Sequence, residues 1–126
     1  IAALAISTTK TAAAHSISYP LTINYSIPHG IACSLPLIPL LQINGDFIEK
    51  ELSIIIEKLG ISNFSDLINY LRQIFSGMLN FNLKNWGVSQ SDLYSLAEQS
   101  FTKGRIENNI VKLKKDDIVK ILKAIY

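Results

Sequence analysis

The chain has 126 residues, a formal net charge of +2 and a single cysteine. That length bounds it to one modest domain, the lone cysteine excludes an internal disulfide framework, and the weak charge speaks against a nucleic-acid groove. Charged residues are only 17% against 48% apolar, an excess that points to apolar faces covered by something outside this sequence.

The opening residues, IAALAISTT, read as the end of a buried helix. The run is too short for a membrane span and is interrupted by Ser7, Thr8, Thr9 and Lys10. A sequence that opens inside an apolar helix is expected to be a fragment of a longer protein.

A second helix is expected over residues 11–24, carrying His15. Ala12, Ala13 and Ala14 let neighbouring helices approach closely, and Pro20 should kink or shorten it. Asn24 and Ser26 are poor helix formers and Ile27 precedes a proline, so this helix should end near Tyr25. Pro28 makes the turn. The next helix should start near His29, with Gly30 easing the junction. Its apolar residues, Ile31, Ala32, Leu35, Leu37, Ile38, Leu40 and Leu41, lie all round it to about residue 43. A helix of that kind belongs in the centre of a bundle, and Pro36 and Pro39 should kink or break it.

Asn44, Gly45 and Asp46 read as a turn. A helix over residues 47–59 follows, with Phe47, Leu52, Ile55, Ile56 and Leu59 expected inward and Gly60 as its stop. Ser62 or Asn63 should cap a helix to about residue 78, with Leu67, Leu71, Ile74, Phe75 and Met78 inward. Residues 80–87, with Trp86, read as a loop. Ser89 and Asp92 resemble a capping box that opens a helix through Leu93, Leu96, Ala97 and Phe101. Residues 103–112 are polar and irregular. A last helix over residues 116–124 should turn Ile118, Ile121, Leu122 and Ile125 inward, with Asp116 and Asp117 at its start and Lys120 and Lys123 near its end. The lysines of this tail are interleaved with acids and apolar residues, the pattern of a solvated face. No strand pattern survives, so the fold class is all-α.

The two histidines, His15 and His29, thus fall on the body of one helix and at the start of the next. A helical hairpin can bring both imidazoles to one point. Imidazole suits zinc, iron, cobalt, nickel and copper alike, and enzyme sites take three or four protein ligands. The residues alone therefore leave the metal open, and two unrelated histidines stay the alternative.

The segment HSISYPLTINYSIPHG and the apolar helix after it resemble the iron-containing (group III) alcohol dehydrogenase family. His15, Pro20, Pro28, His29, Gly30 and Ala32 fit that family's pattern; Tyr19 departs from it, standing where many members have another histidine. The resemblance implies a helical bundle, the C-terminal metal-binding domain of a two-domain, dehydroquinate synthase-like fold. It implies that His15 and His29 ligate a catalytic divalent metal, Fe2+ first and Zn2+ as the other candidate. An aspartate and a further histidine would lie upstream. NAD(P) would be bound mainly by an N-terminal domain outside this sequence, in keeping with glycines too scattered here to form a phosphate-cradling loop. Tyr19 is the candidate catalytic residue. Tyr25 is read as a packing residue, and Cys33 as a buried core thiol.

The expected partner is a small alcohol or aldehyde, with no nucleic acid and no membrane. The form SYPLT with IPHG is most similar to the branch that includes phosphonoacetaldehyde reductases. Dehydroquinate synthases and glycerol dehydrogenases share the two-domain plan with different ligand spacing. A homo-oligomer in the cytoplasm is expected for the intact enzyme, and an inactive fragment that self-associates through its orphaned apolar faces. The alternative is a non-enzymatic helical interaction module.

Overall fold

The computed structural model describes residues 11–76, 81–101 and 104–126. The helix end expected over the opening residues, and the inward position of Met78, lie outside them. Seven α-helices run through the described residues: α1 Ala13–Tyr25, α2 His29–Ser34, α3 Leu37–Asn44, α4 Glu49–Leu59, α5 Phe64–Ser76, α6 Leu93–Gln99 and α7 Lys115–Ala124. Short 3-10 turns lie at Gly45–Phe47, Leu83–Trp86, Gln90–Asp92 and Ile106–Asn108. There is no strand among the described residues.

The core forms where α1, α6 and α7 meet. Ala13, Ile17 and Leu21 repeat at four-residue spacing and are fully buried on one face of α1. Opposite them lie Leu93, Leu96 and Ala97 of α6 and Ile118, Ile121 and Leu122 of α7. The inward face expected of the last helix is therefore the observed one, Ile125 included. Leu83 is also buried, and its N–H donates to the Ile125 carbonyl at 2.9 Å, so the 3-10 turn closes on the chain's last turn.

Helix α1 runs through Pro20 to Tyr25 rather than ending early. The backbone cost of an interior proline is about 3 kcal/mol; Pro20 and its neighbour Leu21 are both buried, which offsets part of it. The helix then stops where the sequence says it should. Ser26 takes a left-handed conformation at φ 54° and its N–H returns to the Thr22 carbonyl at 3.0 Å. Ile27, fully buried, anchors the turn that delivers His29 to the start of α2.

The expected single helix after His29 breaks at Leu35 and Pro36 into α2 and α3. Pro39 does not break it, because it falls in the first turn of α3, where a backbone N–H has no intrahelical partner to lose. Nor is this segment buried on every side. Ala32, Leu35 and Leu40 are buried; Ile31, Leu37, Ile38 and Leu41 are only half-buried.

The pair α4 and α5 departs furthest from expectation. Gly60, at φ 66°, stops α4 as read, with its own N–H and that of Ile61 returning to Glu57 and Ile56. Asn63 caps α5, its Oδ1 accepting from the Asp66 N–H at 3.0 Å. Yet of the residues expected inward on α4 only Leu52 is buried. Phe47, Ile55 and Leu59 are exposed, as is Ile54 at 59%. Ile74 is exposed as well, while Ile68, not foreseen, is buried beside Leu67. The hairpin's amphipathic pattern is real, but neither α4 nor α5 supplies a residue to the main core; α5 reaches it through Phe75, whose ring stacks on Phe81 at 4.3 Å between centroids. The chain enters α4 at 118° to the preceding segment.

Ser89 and Asp92 form the expected capping interaction, with the Asp92 carboxylate accepting from the Ser89 N–H at 3.2 Å. It opens a 3-10 turn before α6, which ends at Gln99, so Phe101 lies beyond the helix and is exposed. No single helix among the described residues is long and apolar enough to cross a membrane.

Candidate metal centre

The hairpin of α1 and α2 brings His15 and His29 together, their rings 5.5 Å apart between centroids and inclined at 61°. His15 sits on the face of α1 opposite the Ile17 and Leu21 face, so it is held at the edge of the core rather than within it. His29 is placed by the Ser26–Pro28 turn. Cys33, one helical turn after His29, completes a group of three metal-ligating side chains whose donor atoms all lie within 4.8 Å of one another. Its Sγ is 3.5 Å from His29 Nε2. Cys33 is half-exposed, so it is not the core thiol that its apolar surroundings in sequence suggested.

Ser18 orients the pair. Its Oγ–H donates to the His15 carbonyl at 2.8 Å, so its lone pairs face His29 Nδ1 at 3.4 Å. A hydroxyl whose proton is already committed can only accept there. The Nδ1–H tautomer of His29 follows, with the Nε2 lone pair left free to ligate a metal. Burial first, then the neighbouring charges of His29 and Arg105, hold His15 below the usual imidazole range. Its neutral, metal-binding form is therefore favoured at neutral pH.

Tyr19 is one turn after His15, its ring 5.8 Å from that of His29. Over its ring lies Arg105, with the guanidinium carbon 4.4 Å from the Tyr19 centroid. The candidates His15, His29 and Tyr19 are thus gathered at one place; Cys33, read as a core thiol, joins them, and so do Ser18 and Arg105, which were unforeseen. Cys33 had a local signal, the four-residue spacing from His29 on one helix; Arg105, from the irregular loop, had none. Two imidazoles with a thiol beside them suit a divalent transition ion, and no carboxylate of the described residues joins the group.

Tyr25 points elsewhere. Its Oη–H donates to Asp92 Oδ2 at 2.7 Å, tying the end of α1 to the cap of α6. Burial and this bond push the Tyr25 phenol up to about 12, and the Ser89 hydroxyl, then Tyr25, hold Asp92 below its usual value. The neutral phenol is the stabilised form. Its contribution is intact below the ordinary value of 10.0 and is lost as pH rises through about 12. Tyr25→Phe should lower Tm by a few degrees at neutral pH, and the gap to the unmodified protein should close as melts are repeated up that range. A cleft of about 830 Å3 lies along the α4–α5 hairpin, lined by residues such as Leu52, Ile56 and Phe64. It shares no residue with the histidine site.

Comparison with protein families matches residues 1–126 to the model described as Fe-containing alcohol dehydrogenase family, C-terminal. The chain belongs to this family. Among solved structures it is similar to an alcohol dehydrogenase from Oenococcus oeni, with a TM-score of 0.83 and 24% identity, covering 99% of this chain and 35% of that one. It is also similar to a 1,3-propanediol oxidoreductase, with a TM-score of 0.76 and 21% identity, covering 91% of this chain and 32% of that one. At such identities the likeness establishes the fold: the helical C-terminal part of an iron-type alcohol dehydrogenase. The chain spans about a third of the length of either structure. No curated protein sequence matches it.

Proposed function

We propose that this chain is the helical, metal-holding part of a nicotinamide-dependent oxidoreductase that interconverts an alcohol and an aldehyde. The observation that carries the reading is the convergence of His15 and His29 at the α1–α2 hairpin, in a chain of this family. His15 and His29 would hold a divalent ion, Fe2+ first and Zn2+ second, with an aspartate and a histidine from upstream sequence. Bound there, such an ion supplies Lewis-acid polarisation of the carbonyl oxygen. The nicotinamide, held mainly by a separate N-terminal domain, supplies the hydride.

The chain's own residues do the rest. Ser18 fixes the tautomer of His29, the core face of α1 fixes the height of His15, and Tyr19 Oη passes the proton to or from the substrate oxygen. The SYPLT and IPHG segments favour an aldehyde of the phosphonoacetaldehyde type. The exposed Phe47, Ile54, Ile55 and Leu59 favour self-association, and a reducing cytoplasm would keep Cys33 free.

The test is nicotinamide-linked reduction by the full-length protein, loaded with iron without oxygen, over a panel of aldehydes. Activity that depends on added metal is expected. Tyr19→Phe should keep its metal and lose roughly a hundredfold in kcat, the usual scale of a lost proton-transfer group. Full metal and dinucleotide binding with no turnover of any aldehyde would remove the reaction from the proposal. Metal-free turnover would remove His15 and His29 from it.

A further inference from the structure

Among the described residues Arg105 is the basic side chain that the fold brings to the histidine site, and no ion pair among them accounts for its charge. Its guanidinium lies over the ring of Tyr19, which in turn meets the ring of His29. Among the described residues no carboxylate pairs with it: the ion pairs join Lys115 to Glu98 and Lys120 to Asp117. The acid nearest in sequence, Glu107, is turned back, its Oε2 accepting from the Gly104 N–H. Arg105 is nonetheless half-buried, and it is held in place. Buried Ile106 pins the next residue to the core. Asn108 Nδ2 donates both to the Thr11 carbonyl at the foot of α1, at 2.9 Å, and to Gly104, at 2.8 Å. Asn109 exchanges amide hydrogen bonds with Asn44 at 2.9 and 3.1 Å, fastening the loop to the end of α3. A partly desolvated guanidinium without a counter-charge costs free energy unless something anionic meets it. Its planar fork suits two oxygens on one atom.

We propose that Arg105 is the anion receptor of this site and sets its preference for aldehydes that carry a phosphonate, phosphate or carboxylate group. The proposal rests on the oxidoreductase reading and adds the substrate's charge to it. The guanidinium carbon is no farther from the His29 ring than the distances 4.4 and 5.8 Å laid end to end. A short carbon chain spans that gap, with its carbonyl toward the imidazoles and its charged end on Arg105. Tyr19, whose ring neighbours both groups, contacts such a molecule along its length, so the ring serves both to seat the guanidinium and to line the substrate's path.

The experiment compares the full-length enzyme with Arg105→Gln and Arg105→Lys on phosphonoacetaldehyde, succinic semialdehyde and propanal. Arg105→Gln should raise KM for the anionic aldehydes by about thirtyfold, the scale of a lost charged hydrogen bond, and change that for propanal several times less. Arg105→Lys should fall between. The anionic aldehyde that loses more identifies whether phosphonate or carboxylate is the better-fitted group. Equal losses on propanal and the anions, or no loss on either, would overturn the assignment while leaving the oxidoreductase reading standing. Calorimetric titration with unreactive phosphonoacetate gives a readout that needs no turnover. Binding that weakens in Arg105→Gln by a comparable factor supports the receptor; binding that is absent, or equal in both proteins, sinks it.

Discussion

His29→Ala, and separately His15→Ala, should each lower divalent-metal affinity of the full-length protein by at least about a hundredfold. That exceeds the 10- to 100-fold loss typical when only a group that orients a ligand is removed. Metal content after dialysis against a graded series of chelators measures it. The two substitutions should act alike, although the residues differ in exposure, because each removes one of the few protein ligands that such a site would have. His29 is exposed and His15 half-buried. His15→Ala should therefore also cost some stability, through lost contacts at the core edge, whereas His29→Ala should leave Tm nearly unchanged. Retention of metal by both variants would show that the ring pair, 5.5 Å apart, is a packing contact and nothing more.

The second large effect is one of stability and divides the chain in two. Ile17→Ala should destabilise by about 3 kcal/mol, within the range for a large aliphatic residue truncated in a close-packed core. Ile17 is fully buried on the α1 face that meets α6 and α7, two residues after His15. A loosened α1 should also weaken metal binding, since His15 rides on the same turns. Ile54→Ala, on exposed α4, should change stability by no more than about 0.5 kcal/mol at protein concentrations too low for self-association. Urea titration of both variants checks the contrast. A loss at Ile54 as large as that at Ile17 would mean that the α4 face is covered in the folded protein.

What the sequence made legible was local. The end of α1 followed from Ser26 and the Ile27–Pro28 pair, and Gly60, Asn63 and the Ser89–Asp92 pair marked helix ends where they occur. These signals are backbone chemistry and need no knowledge of neighbours. Pro39 misled because a proline's effect depends on its position in the helix, and the break at Leu35 and Pro36 shifted that position. The inward face of α4 misled because periodicity says which residues share a face and not what meets that face. Leu52 found a partner; Ile55 and Leu59 did not.

The site divides in the same way. His15 and His29 were legible through the motif that frames them, and their meeting followed from a turn short enough to force a hairpin. Cys33 lay within reach of a reading by helical spacing, but its apolar neighbours argued for a core position, and the break after α2 leaves that helix half-open. Arg105 could not be read. It reaches Tyr19 across 86 positions of sequence, through a loop whose path is set by Asn108 on Thr11 and Asn109 on Asn44. Such contacts are fixed only once the helices have packed.

The measurement that bears most directly on the account is anomalous X-ray scattering at the metal edges, from crystals of the full-length protein grown with iron or zinc. The account predicts one strong peak within about 2.1 Å of a nitrogen of His15 and of His29, the bond length of imidazole to such an ion. A peak elsewhere in the protein, with both imidazoles turned from it, would contradict the claim that this hairpin holds the catalytic metal.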